Sequence, residues 1–98
     1  MIVYKAMYKF VDGGVHGEVL DFPGAISCGE NLEHARRQVA GALVDMAETF
    51  ILEHQPLPCP NPAVTDPESD IEEPIYLLLT AASRIKVTPE AAPEAATA

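Results

Sequence analysis

Asp12, Glu18, Asp21 and Glu30 are carboxylates of the N-terminal third of the chain, and His16, His34 and His54 are its three imidazoles. Carboxylates support hydrolytic chemistry when several converge on two divalent cations at the centre of a fold. The two segments best suited to form such a centre, 1–11 and 75–80, contain neither Asp nor Glu. The four carboxylates fall instead at a hairpin and at strand ends, where water is expected to solvate them, so no catalytic or metal-binding residue is assigned. The histidines are equally scattered. His16 lies in a hairpin and His34 in a first helical turn, while His54 closes a helix, where a cation suits the dipole. Three separate structural roles fit this spacing better than a base or a ligand set. No Ser/His/Asp order, phosphate-cradling glycine loop or C-x-x-C appears. Cys28 and Cys59 are too few and too far apart for a zinc motif or a disulfide framework, so incidental thiols of a cytoplasmic protein are expected.

The elements that hold these residues are written in the hydrophobic pattern. Ile2, Tyr4, Ala6, Tyr8 and Phe10 alternate with Val3, Lys5, Met7, Lys9 and Val11, which predicts a strand over 1–11 with its first face in a core. Asp12-Gly13-Gly14 supplies a turn, and a second strand over 15–22 completes a hairpin. Pro23-Gly24 interrupts the ladder, and 25–28 reads as a short third strand. Asn31 stands at the N-cap of a helix whose apolar stripe runs Leu32, Ala35, Val39, Ala42 or Leu43, Met46 and Phe50. Arg36, Arg37, Asp45 and Glu48 fall off that stripe, towards water. Gln55-Pro56 ends the helix, and the prolines at 56, 58, 60, 62 and 67 make a stiff, extended linker. The apolar run 75–80, bounded by Pro74, predicts a fourth strand with both faces covered. Returning over the helix, it is expected beside the first strand and parallel to it, by a right-handed crossover. The face opposite the helix then needs a second subunit or a partner.

Ninety-eight residues make one domain. Fifteen Asp and Glu against six Lys and Arg leave a net charge of −9, which repels a polyanion and argues against direct nucleic-acid binding. A basic protein is attracted by the same charge, although keeping a small protein soluble is by itself a sufficient reason for it. No segment has membrane-spanning length, and no secretory signal pattern opens the chain.

The strand, the Gly-Gly turn and the run Asp21-Phe22-Pro23-Gly24-Ala25-Ile26-Ser27-Cys28-Gly29-Glu30-Asn31-Leu32-Glu33-His34-Ala35 together resemble the signature of HicB-like antitoxins. Asp21, Pro23, Gly24, Gly29, Glu30, Glu33 and Ala35 occupy matching places, and Leu57-Pro58-Cys59-Pro60 resembles the family's Pro-x-Pro exit. The match covers about residues 1–80 and rests on order and spacing. It implies a truncated ribonuclease-H-like fold, dimers or higher oligomers, and neutralisation of a HicA-type toxin, a small basic protein that cleaves RNA. Two departures stand out. Many members carry a C-terminal helix-turn-helix or ribbon-helix-helix, where this chain has a Pro/Ala/Glu tail. His34 stands where an acidic residue is common, which leaves the cap to Asn31 alone.

The expected architecture is α+β: βββαβ, a mixed four-stranded sheet of order 3-2-1-4, and one long helix on one face. Residues 1–87 form the HicB-like domain, with the Pro-rich linker over 56–73, and 88–98 form a disordered tail. The expected function is that of a non-enzymatic antitoxin-like binding protein without cofactor or metal. The alternative is an orphan domain of the same shape, acting as an oligomerisation or adaptor module without a toxin. A hydrolase using loop carboxylates is a third and weaker reading.

Overall fold

The computed structural model describes residues 1–79 and 85–88, with Leu79 and 85–88 described by their main chain. The elements in chain order are β1 (Ile2–Val11), β2 (Gly14–Val19), β3 (Ile26–Gly29), α1 (Leu32–Leu52), β4 (Ile71–Leu79) and β5 (Ile85–Thr88). They form one sheet of order β3-β2-β1-β4-β5. The α+β class, the 3-2-1-4 order and, among the described residues, the single helix agree with the sequence reading. Of the tail expected over 88–98, only Thr88 lies within the described residues, as the last residue of β5.

Two features of the expected sheet are corrected. Among the described residues it has five strands, because Ile85–Thr88 pairs with β4, and it is antiparallel throughout rather than mixed. The direction of β4 follows from the Pro-rich segment. The helix returns the chain towards the start of β1, and a strand following directly would run parallel to β1. Residues 53–70 first climb back along β1 as a strap. The Tyr4 hydroxyl donates to Pro58 O at 2.8 Å, Lys5 Nζ donates to Val64 O at 2.7 Å, and the Phe10 N–H donates to Asp70 Oδ2 at 2.7 Å. β4 therefore enters beside Tyr8 and descends, pairing Ile71 with Tyr8 and Leu77 with Ile2. No parallel crossover exists among these strands.

β4 also begins earlier than its apolar run, and Pro74 lies inside it. The ladder explains how a proline is tolerated. Leu20 N–H donates to Lys5 O, so the main-chain groups of Lys5 point towards β2, and those of its partner Pro74 point away from β1. Among the described residues β5 pairs with β4 only from Tyr76 onwards, so the missing N–H of Pro74 faces no described strand.

One core lies between the sheet and α1. Tyr4, Ala6 and Tyr8 of β1, Val15 and Val19 of β2, and Ile75 and Leu77 of β4 meet Ala35, Val39, Leu43 and Ala47 of the helix. Phe22 closes one end, edge-to-face with Tyr4 at 5.2 Å and with Phe50 at 5.3 Å. Gly17 is required beneath the helix, since a Cβ there would stand 2.6 Å from Val39 Cγ2 and 2.9 Å from the Tyr8 ring.

Both helix ends are capped by side chains or geometry readable in part from sequence. Asn31 Oδ1 accepts the His34 N–H at 2.9 Å, as expected of an N-cap. His34 does not leave that work to Asn31 alone: its Nδ1 accepts the Glu30 N–H at 3.0 Å. At the other end His54 adopts φ 55°, and the Gln55 N–H reaches Phe50 O at 2.8 Å, so a histidine fills the left-handed position usually held by glycine.

Candidate binding face

Strand alternation places Lys5, Met7 and Lys9 of β1, His16 and Glu18 of β2, and Ile26 and Cys28 of β3 on the sheet face opposite α1. The sequence reading leaves this face to a partner. The strap covers its middle instead: Met7 is 2% exposed, Lys5 Nζ donates to strap carbonyls, and Lys9 pairs with Glu68. What stays open lies around it, at Val3, Val11 and Ile26, which are about half exposed.

A groove of about 590 Å³ occupies the hairpin end of this face, between the strap and the β1–β2 turn. Asp12, Glu18, Asp66 and Glu68 line it, with Met7 and Val11 among its apolar wall. Lys9, its lysine, is committed to Glu68, and His16 Nε2 lies 3.7 Å from Glu18 Oε1. A groove with unneutralised carboxylates and apolar walls suits a Lys or Arg side chain, whose stem packs while its head meets the acids.

The four carboxylates read from sequence do not converge. Asp12 and Glu30 are exposed, and Glu18 is half-buried in the groove. Asp21 is a correction, being 8% exposed rather than solvated. Its Oδ1 accepts the Lys5 N–H at 2.9 Å, beyond the end of β2, and its Oδ2 accepts the Asn61 N–H of the strap at 2.8 Å. The three histidines occupy the groove, the N-cap and the C-terminal turn of α1, with no contact among them. Cys28 and Cys59 are both free and exposed. Among the described residues no group of three or more His, Cys, Asp or Glu side chains is placed to hold a metal ion. No helix among them is long and apolar enough to cross a membrane.

Sequence reasoning missed the side chains that seat the strap. Their signal was the outward Lys5 and Lys9 of the first strand facing the acidic run 66–73. Glu72 Oε2 accepts the Thr65 hydroxyl at 2.7 Å and the Asp66 N–H at 2.9 Å, and Oε1 lies 3.6 Å from Lys5 Nζ. The Asp66 N–H, followed by the Thr65 hydroxyl, lowers the Glu72 carboxyl from 4.5 to about 2. A depressed acid stabilises the fold fully above its unfolded value, and that contribution disappears as pH falls towards the folded one. Seating of the strap is thus expected to weaken between about pH 4.5 and pH 2. Glu72→Gln should flatten this dependence, measured by amide exchange at Asp66; an unchanged acid profile counts against the assignment.

Arg36 is also corrected. It does not simply face water but forks onto Glu73 of β4, Nε to Oε2 at 3.0 Å and Nη2 to Oε1 at 2.8 Å, clamping the helix to the sheet. Beside this pair the Tyr8 hydroxyl is buried without a hydrogen-bond partner among the described residues. Burial, with the Glu73 charge, pushes the Tyr8 phenol up to about 12, against the pull of Arg36.

No family model matches the chain, and no curated protein matches it.

Proposed function

We propose that this chain is a HicB-like antitoxin that neutralises a small, basic, RNA-cleaving toxin of the HicA type by forming a complex with it. The acidic groove on the sheet face carries this reading, because it offers carboxylates and apolar contact to a cationic protein on a rigid scaffold. The net charge of −9 supports it, as does the order of residues 21–35, whose pieces resemble the antitoxin signature. The mechanism is stoichiometric masking rather than catalysis, it operates in the cytoplasm, and homodimers or higher oligomers extend the covering surface.

Co-expression with a basic toxin of this kind is expected to yield a complex stable to gel filtration in which RNA cleavage is abolished. Independent migration of the two proteins would overturn the reading. Reversing two groove charges, Asp12→Lys with Glu18→Lys, is expected to weaken the complex about tenfold at low salt and less at high salt. Titration by calorimetry at two ionic strengths measures this, and an unaltered affinity would remove the groove from the interface.

A further inference from the structure

We infer that the β3 edge takes an extended, basic segment of a partner protein as an added sixth strand. This rests on the reading of a basic protein partner and specifies how that partner engages. Among the described residues β3 is an edge of the sheet. Val19 N–H donates to Ala25 O, and with the register Gly17↔Ser27 and Val15↔Gly29 this directs the main-chain groups of Ser27 and Gly29 towards β2. Those of Cys28 and the Ile26 carbonyl therefore point outwards, while the Ile26 N–H is used locally on Gly24 O. The outward Cys28 N–H and C=O are a template for strand addition.

Edges are ordinarily blunted by Lys, Pro or another charge. Ile26-Ser27-Cys28-Gly29 has none of these, whereas β5 at the opposite edge carries Lys86. Ile26 is 51% exposed on the same face as the groove. Charge decides among occupants. A second copy would bring another −9 to an edge that Glu30 follows directly and from which Glu18 lies one strand inward. In an added strand that alternates Arg with apolar residues, the Arg side chains sharing the Ile26 face lay their stems over Ile26 and carry their guanidinium groups towards Glu18, two strand spacings, about 10 Å, away, while the apolar groups take the opposite face.

The probe is a synthetic peptide alternating Arg with Val and Thr, compared with its Glu counterpart. Saturable binding of the Arg peptide alone, with slowed exchange of the Cys28 amide, is expected. Cys28→Pro removes the outward donor without touching the β2 ladder and should weaken binding at least about tenfold. Ile26→Lys, which alters no main-chain bond, should do likewise and covers the case in which the proline variant fails to fold. Absence of saturable binding, binding without protection at Cys28, or affinity unmoved by both substitutions would overturn the inference. So would protection at Cys28 that grows with protein concentration alone, which assigns the edge to a second copy. No toxin enters this assay, so its failure leaves the antitoxin reading to the RNA-cleavage test.

Discussion

Asp21→Ala is expected to destabilise the domain by about 3 kcal/mol, more than any single surface change. The carboxylate accepts two main-chain N–H groups from parts of the chain distant in sequence, Lys5 in the central strand and Asn61 in the strap. Alanine leaves both donors without an acceptor at a site that is 8% exposed. Each lost bond to a charged acceptor is worth about 1.5–3 kcal/mol, and part of the loss is recovered by water entering the gap. For a domain of this size the melting temperature should fall by more than about 10 °C. Asparagine should restore at most half, because it turns an NH2 towards one of the two donors. Urea denaturation measures the loss; a change below about 1 kcal/mol would show that Asp21 does not hold the strap.

Gly29→Ala should cost a similar amount, about 3 kcal/mol, through excluded volume rather than a lost bond. A Cβ at Gly29 would stand 2.4 Å from Ala35 N and 2.8 Å from Ala35 Cα and His34 C. These are main-chain atoms of the first helical turns, so no rotamer change makes room. The helix would have to lift from β3, loosening Ala35 and Val39 from the core. Gly41 is the control, with nothing within 4 Å of its added Cβ and an exposed helical position. Alanine there should stabilise by about 1 kcal/mol. Equal melting shifts for the two variants would show that Gly29 is only a flexible joint.

The legible parts of this fold are those set by periodicity. Strict alternation over Ile2–Val11 gave a strand and named its buried face, and the stripe from Leu32 to Phe50 gave the helix with nearly its observed ends. The direction of β4 was not legible. Alternation reports which face a residue takes, not which way its strand runs, and that depended on where residues 53–70 emerge. Their course is fixed by side chains of Lys5, Asp21 and Glu72 bonding to main chain distant in sequence or, for Glu72, folded back in a loop. Pro74 misled for a related reason: proline ends a strand only where its missing N–H would face a neighbour. Asp21 read as solvated because no pattern announces that a strap will pass over it. The groove needed the same knowledge, since Asp66 and Glu68 join Asp12 and Glu18 only once the strap is laid down.

Placing the first strand in the middle of the sheet has a consequence for synthesis. The β1–β2 hairpin closes over a short turn and can form as soon as its residues emerge, but the other side of β1 waits for β4. The bond from Phe10 to Asp70 spans 60 residues of chain, so the nascent protein carries a bare apolar ribbon through most of its translation. Completion is therefore a late, cooperative event, and the half-made chain is the species most exposed to aggregation or to capture by chaperones.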